Sequence, residues 1–181
     1  MNTGQTMMTV GAMVLLGYSI LSTNQSNLTH GVILQQTEIG IYMISLAISR
    51  IEEASGKAFD VETEENIATS PSALTAANSS TWGRDYLGTD SAEVYPYFDD
   101  FDDYHNFSDT TYVPGVDNLV VKSTVRYVRP ANPDSVLGTG TRTFHKRMDV
   151  IVYSMSFMDT TYYAQRDTLK MSYVFSYWSF R

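Results

Sequence analysis

The chain lacks cysteine altogether, and its 181 residues include only three histidines. Without cysteine, a disulfide, a thiolate metal site and a cysteine nucleophile are all excluded. His30, His105 and His145 lie far apart in the sequence, which argues against a histidine-based metal site. An extracellular protein without disulfides would need another source of rigidity, such as packing against neighbouring copies.

Charged side chains are missing from the first fifth of the chain. Residues 1–37 contain no Asp, Glu, Lys or Arg, and the first such residue is Glu38. We therefore expect the N-terminal segment to occupy a non-aqueous environment. The whole chain has a formal net charge of −8, which makes nucleic acid a poor default partner.

Proline is absent before Pro71, so the first 70 residues contain no strong helix breaker of this kind. The pattern predicts an α-helix from the start of the chain to about Ser55, where Gly56 offers a C-terminal stop. Its later part carries a roughly helical apolar stripe at Leu28, Val32, Ile33, Ile41, Ile44, Ile48 and Ile51. At ~1.5 Å per residue this helix is about 80 Å long, so we expect roughly half of it to protrude and to need lipid or other copies as partners.

The most apolar part of this helix runs from Met7 to Leu21. These residues fall short of the ~20 that cross a bilayer comfortably, although their uncharged flanks extend the segment. No Lys or Arg precedes it, as one would in a signal peptide. The segment is therefore predicted to be retained, as a membrane anchor, a buried core helix or the core of an oligomer.

A break is also predicted inside this helix. Residues 22–27 read STNQSN, and such side chains compete for backbone hydrogen bonds, while Gly17 weakens the helix further. We expect a kink or a locally unwound stretch within residues 17–27. A surface loop joining two helices is the alternative.

The C-terminal part of the chain is predicted to be a β-meander. Leu119, Val121, Val125 and Tyr127 alternate with polar residues within 117–129, which indicates a half-buried strand. Residues 142–157 and 167–180 give a second and a third strand, and residues 130–134 and 138–140 a turn-rich connection. The sheet needs a cover on its apolar face, and the predicted cover is the helical set Ile41, Ile44, Ile48 and Ile51.

The region between helix and strands has no sustained period and contains an acidic, aromatic run, YPYFDDFDDY at residues 95–104. Clustered carboxylates suit hard cations, so a weak Ca²⁺ candidate is formed by Asp99, Asp100, Asp102 and Asp103. A solvated acidic turn anchored by aromatic residues is the alternative, because the spacing is not that of an EF-hand loop. Glycosylation sequons begin at Asn24, Asn27, Asn78 and Asn106, of which Asn78 and Asn106 lie outside the helix and are the candidates.

The uncharged apolar helix, the phrase SLAISRIEEASGKAFD at residues 45–60 and the β-rich C-terminal half resemble type IV filament subunits, the pilins and secretion-system pseudopilins. The resemblance covers residues 1–60 best and the remainder in outline. It implies an α+β fold in which the C-terminal half of a long helix packs on a small antiparallel sheet. The implied domains are the N-terminal helix 1–56, with 1–27 protruding into filament core or membrane, and a globular head 57–181 with variable loop 59–116 and β-meander 117–181.

The resemblance also implies how copies assemble. In such subunits a peptidase removes a short basic leader after a glycine, and a glutamate at the fifth position answers the N-terminal ammonium of a neighbour. Here the fifth residue is Gln5, which lacks the charge and would need further acceptors such as Thr6 or Thr9; alternatively, a cut after Gly4 would make Gln5 the first residue. The usual proline near position 22 is replaced by Ser22. The implied assembly residues are Met1, Gln5, Met7, Met8, Val10, Met13, Val14, Leu15, Leu16, Ile20 and Leu21.

The predicted function is a structural subunit of an extracellular type IV pilus-like filament, a pilin that polymerises with copies of itself. Its predicted location is the cytoplasmic (inner) membrane before assembly and the cell surface afterwards, with the pilus assembly machinery as a partner. The alternatives are a minor pilin or pseudopilin of a pilus or type II secretion apparatus, and a membrane-anchored monomeric binding protein. The sequence contains no nucleophile–base spacing and no phosphate loop, so neither enzymatic activity nor a cofactor is predicted.

Overall fold

The structure is a computed structural model, and it describes residues 2–84, 93–155 and 168–178. Its main elements are one long α-helix, α1 (Thr3–Ser55), and five β-strands. Three single-turn 3-10 helices, Val61–Thr63, Pro71–Ala73 and Asp102–Tyr104, lie between α1 and the first strand. The chain is therefore an α+β protein with an N-terminal helix followed by an antiparallel sheet, as the sequence predicts.

Helix α1 ends at Ser55, which confirms the predicted end beside Gly56. The chain divides into two compact units, residues 1–41 and residues 42–181. Apart from Asn2, the described residues of the first unit are all helical. The second unit contains the last part of α1, the 3-10 helices and all five strands, and we call it the head.

The predicted unwinding within residues 17–27 is wrong, because all of these residues are α-helical. The polar side chains expected to disrupt the helix include hydroxyls that bond within it. Thr23 Oγ1 donates a hydrogen bond to the carbonyl of Ser19 at 2.9 Å. Such a bond to the preceding turn satisfies the hydroxyl without removing the backbone from its helical pairing.

The strands of the head are β1 (Ser108–Val113), β2 (Asp117–Arg129), β3 (Asn132–Val136), β4 (His145–Ser154) and β5 (Thr168–Ser176). Their order in the sheet is β1-β2-β4-β5, all neighbours antiparallel, and β3 pairs with the end of β2. The three predicted strands are confirmed as β2, β4 and β5. Residues 142–144, 155 and 177–178 are not part of them, and the predicted positions 156–157, 167 and 179–180 lie outside the described residues. Strands β1 and β3 are additions that the sequence reading assigned to loop and turn.

The composition of β3 explains why the sequence predicted a turn instead of a strand at this position. Its sequence, NPDSV, contains turn-forming residues, and most of its side chains are exposed. In the part of the chain that the structure describes, it pairs with β2 alone, through Val128 with Val136 and Arg129 with Asn132. Pro133 lacks an N–H to donate, and a strand that pairs on one side tolerates this.

The interior of the head is formed by alternating residues of β2 and β4. Leu119, Val121 and Val125 of β2 are fully buried, as predicted, and Tyr127 is almost fully buried. Met148, Val150 and Val152 of β4 are buried in the same way. A second cluster comprises Phe59, Ala68, Leu74 and Tyr127, with Trp82, Phe175 and Tyr177 packed against it.

The buried face of α1 within the head differs from the predicted one. Ile44 and Ile48 remain 44% and 39% exposed, and Ile41 is also exposed; of the predicted stripe only Ile51 is buried. The buried residues are instead Met43, Ala47, Arg50, Ile51 and Ala54. Ala47 and Ala54 are small and allow close packing, and Arg50 turns inward because its guanidinium pairs with Asp109 of β1 at 2.7 Å.

The segment after α1 is joined to the acidic run by backbone hydrogen bonds. Ala58 N donates to the carbonyl of Asp99 at 3.1 Å, and Phe101 N donates to the carbonyl of Ala58 at 3.0 Å. These bonds form an isolated parallel bridge between Ala58 and Asp100. The first residues beyond the helix are thus fixed to the loop that precedes β1.

Candidate functional site

The predicted assembly residues of α1 present an apolar surface to solvent in the single chain. Those from Met7 to Leu21 are between 61% and 80% exposed, and Gln5 is also exposed. Further along, Leu28 and Leu34 remain 66% and 70% exposed. Met1 lies outside the described residues. A contiguous apolar surface of this extent on a soluble protein normally marks a contact with another protein or with lipid.

Five threonine hydroxyls along the same helix are satisfied internally. Each donates a hydrogen bond of 2.8–2.9 Å to a backbone carbonyl three or four residues earlier in the helix: Thr6 to Thr3, Thr9 to Thr6, Thr23 to Ser19, Thr29 to Gln25 and Thr37 to Ile33. A polar group that has its partner inside the helix costs less to remove from water. The threonines are therefore compatible with a dry environment around α1.

By length and composition, α1 is also apolar enough to cross a membrane, and the window that meets this criterion is entirely exposed. A signal sequence or the core helix of a soluble protein can meet the same criterion, although a core helix would be mostly buried. Exposure of the apolar window therefore favours an intermolecular or lipid contact over an intramolecular one.

Three carboxylates of the head converge in the region of the acidic run. Each of Glu93, Asp99 and Asp103 offers one oxygen, and these oxygens all lie within 4.8 Å of one another. Glu93 and Asp103 are 4% and 1% exposed, whereas Asp99 is exposed. We call these three residues the carboxylate triad. It includes two of the four predicted calcium ligands and adds Glu93, which the sequence reading missed because it lies outside the run.

The other two predicted calcium ligands have different roles. Asp100 Oδ1 accepts hydrogen bonds from the backbone N–H groups of Asp102 and Asp103, at 2.7 and 3.1 Å, and so holds the 3-10 turn. Asp102 Oδ1 accepts a hydrogen bond from Lys146 Nζ. The structure thus divides the predicted calcium set between the triad, a turn and an ion pair.

The pKa values of two carboxyl groups of the triad are raised. Burial, together with the nearby carboxyls of Asp103 and Asp99, raises the pKa of Glu93 to about 9. The pKa of Asp103 is also raised, mainly by burial. Ionised carboxylates are therefore costly at this position unless positive charge is supplied.

The head also contains a buried lysine. Lys146 has no exposed surface, and its Nζ donates to the carbonyl of Phe59 at 2.6 Å, to Asp60 Oδ2 at 2.8 Å and to Asp102 Oδ1. Rings of Phe59, Trp82 and Tyr127 surround the ammonium, with centroids 4.6, 5.0 and 5.4 Å from Nζ. Cation–π attraction therefore adds to the two ion pairs.

Asp60 is held from several directions. Its Oδ1 accepts hydrogen bonds from the N–H and the hydroxyl of Thr75, at 3.0 and 2.8 Å, and its Oδ2 accepts one from the Tyr127 hydroxyl at 3.1 Å. Burial alone would raise the pKa of Asp60, but the charge of Lys146 and these hydrogen bonds outweigh it and lower the pKa. Burial likewise opposes the charged form of Lys146, but the carboxylates of Asp102, Asp60 and Asp100 raise its pKa. The pair is therefore an ionised structural unit.

The candidate glycosylation sites are both accessible. Asn78 is exposed in a turn, and Asn106 is exposed with a positive φ of 57°. Asn24 and Asn27 lie on the exposed surface of α1. Exposure permits modification at Asn78 and Asn106, which stay predicted sites.

Comparison with known proteins gives no match to a family model, to a curated protein or to a solved structure.

Proposed function

We propose that the chain is a structural subunit of an extracellular type IV pilus-like filament that polymerises through α1. The observation that carries this proposal is the exposed, charge-free apolar surface of the helix before Glu38. In water this surface is unfavourable at ~25 cal/mol per Å², so its burial among copies would drive association. The internally bonded threonines and the α+β fold support the same conclusion.

Helical assembly follows from the kind of contact that such a helix makes. A surface that contacts a different surface on the next copy forms a chain of subunits, which becomes an open helical filament when the rotation does not close. Before assembly the same apolar surface would be covered by the cytoplasmic membrane. The head would then lie on the outside of the filament, with its sheet available to solvent.

A charge placed in the apolar helix tests this proposal. Leu16 is 63% exposed and Ile67 of the head is 61% exposed, so Leu16→Glu and Ile67→Glu make the same chemical change at equal exposure in the single chain. We expect Leu16→Glu to abolish filaments in the sheared surface fraction, because an unpaired carboxylate is costly in a dry core. Ile67→Glu should leave them intact. Negative-stain electron microscopy of both variants measures this, and filaments of Leu16→Glu in wild-type amount would refute the proposal.

The two alternative functions predicted from the sequence would give different experimental results. A minor pilin or pseudopilin uses the same helix but is a small fraction of the filament, so the share of this chain in purified filaments separates it from a major subunit. A membrane-anchored monomeric binding protein forms no filaments, and the wild type would then appear only in the membrane fraction.

A further inference from the structure

We propose that Glu93, Asp99 and Asp103 bind a calcium ion in the head. Carboxylate oxygens are the ligands that hard divalent cations prefer, and the three available oxygens lie within 4.8 Å of one another. The site goes beyond the proposed filament function and does not depend on it, because all three residues belong to the head.

Buried oxygens of the triad have no hydrogen-bond partner among the described residues. Glu93 Oε2 and Asp103 Oδ1 are both inaccessible to solvent, and neither is hydrogen-bonded to any residue that the structure describes. Buried polar atoms in native proteins are nearly always paired, and an unpaired charged oxygen is among the most costly. A bound cation would satisfy both atoms at once.

The triad also has no ion-pair partner among the described residues. Arg50 and Lys146 are the buried basic side chains in the described part of the chain, and both are already paired. Arg50 pairs with Glu53 and Asp109, and Lys146 pairs with Asp60 and Asp102. Within residues 2–84, 93–155 and 168–178, no ion pair joins a basic side chain to the triad. The basic side chains of these described residues therefore supply no paired positive charge to the triad.

Backbone hydrogen bonds hold the Asp103 carboxylate in place before an ion binds. Asp103 Oδ2 accepts hydrogen bonds from the backbone N–H groups of Asp99 and Asp100, both at 3.2 Å, which restrains the carboxylate, while Oδ1 has no donor among the described residues. Asp99 is exposed and gives an ion and its water ligands access from solvent. Three carboxylates completed by water suit Ca²⁺, whose irregular shell of 6–8 oxygens is more tolerant than the octahedral shell of Mg²⁺.

Thermal unfolding of the full-length chain in non-ionic detergent tests the site, after EDTA treatment and with Ca²⁺, Mg²⁺ or neither ion added. Glu93→Gln and Asp103→Asn remove the charges of the buried ligands, and Glu65→Gln, at an exposed position of the head, is the matched control. For Ca²⁺ at about 100-fold above its Kd, we expect the Tm of the wild type and of Glu65→Gln to rise by about 5 °C or more. Glu93→Gln and Asp103→Asn should show no rise.

A second readout keeps the test decisive if a ligand variant is poorly stable. Isothermal titration of the wild type with CaCl₂ should give one site per chain, and in EDTA Glu93→Gln should be no less stable than the wild type, because burial and the neighbouring carboxyls already favour the neutral form of Glu93 when no cation is bound. No calcium-dependent rise in the wild type, an equal rise in Glu93→Gln, or an equal rise with Mg²⁺ would each overturn the proposal. None of these outcomes depends on whether the chain forms filaments, so the two proposals fail separately.

Discussion

Lys146 Nζ lies 2.8 Å from Asp60 Oδ2, and neither side chain has any exposed surface. Asp60 follows the end of α1 by five residues, and Lys146 stands near the start of β4. This pair therefore connects the segment beyond the helix to the centre of the sheet. The surrounding aromatic rings exclude water, so each ion depends on its partner for compensation.

Removal of the buried ammonium should strongly destabilise the head. Lys146→Met leaves Asp60 and Asp102 buried without their counter-ion, which costs about 3–5 kcal/mol when one partner of a buried pair is lost. Lys122→Met, at an exposed position of β2, is the control and should change the free energy of unfolding by less than about 0.5 kcal/mol. Urea unfolding followed by circular dichroism measures both. Equal losses in the two variants would contradict the structural role of the pair.

The same pair sets the pH dependence of stability. The pKa of Asp60 is lowered in the folded state from 3.8, so its contribution is present above the unfolded value and is lost as pH falls through the folded value. The pKa of Lys146 is raised from 10.5, so its contribution is lost only as pH rises through the folded value. Asp60→Asn should therefore flatten the acid limb of a plot of Tm against pH. Asp134→Asn, at a side chain that is 98% exposed, should leave that limb unchanged.

Arg50 should not be replaceable by lysine. Its NH1 and NH2 groups bond to Glu53 and Asp109, at 2.8 and 2.7 Å, and its guanidinium lies 4.3 Å from the ring centroid of Tyr95. The ammonium of a lysine cannot both form the two forked hydrogen bonds and stack on the Tyr95 ring as the planar guanidinium does. We expect Arg50→Lys to lower the free energy of unfolding by about 1–3 kcal/mol, because one partly buried carboxylate loses its bond to the buried guanidinium. Arg129→Lys, at an exposed position of β2, should be neutral in the same urea titration.

Two adjacent residues of α1 test which face of the helix is buried. Met43 is 7% exposed and Ile44 is 44% exposed, although the apolar pattern assigns the buried stripe to Ile44. Met43→Ala should cost about 2–5 kcal/mol, as a buried truncation does. Ile44→Ala should cost less than about 1 kcal/mol, because much of its side chain is already in water. The opposite order in chemical denaturation would show that the apolar stripe, not the structure, gives the buried face.

Deletion of the first part of α1 should separate assembly from folding. A chain that begins at residue 28 loses the most apolar and exposed part of the helix but keeps every residue of the head. We expect it to be soluble without detergent and monomeric by analytical ultracentrifugation. Its Tm should match that of the head in the full chain. If this shortened chain still polymerised, the proposed role of the N-terminal helix would be wrong.

The strands and the helix end were predictable because they depend on local patterns. Alternation along 117–129 identifies β2 and its buried residues, since one face of the strand is covered. The same rule would have identified Lys146, which shares the buried face of β4 with Met148, Val150 and Val152. A lysine in phase with buried residues indicates a paired, interior charge.

Other features could not be read from the sequence, because they depend on contacts between distant segments. Asp60, Asp102 and Lys146 are separated by more than 40 residues at each step, and only the folded head brings them together. Glu93 is close in sequence to Asp99 and Asp103, but it joins them across a turn whose conformation has no simple period. The predicted buried face of α1 was wrong because the prediction rested on hydrophobicity alone. The ion pair with Asp109 stabilises Arg50 on the buried face.

The bridge between Ala58 and Asp100 has a mechanical consequence. If α1 lies in the core of a filament, a stretching load on the fibre enters each head through the end of that helix. Beyond the buried face of the helix, the next connections to bear the load are the bonds of Ala58 to Asp99 and Phe101, followed by the anchorage of Asp60. Load would reach the loop that carries the carboxylate triad before it reached the ladders of the sheet, so a cation bound to the triad would stiffen this connection.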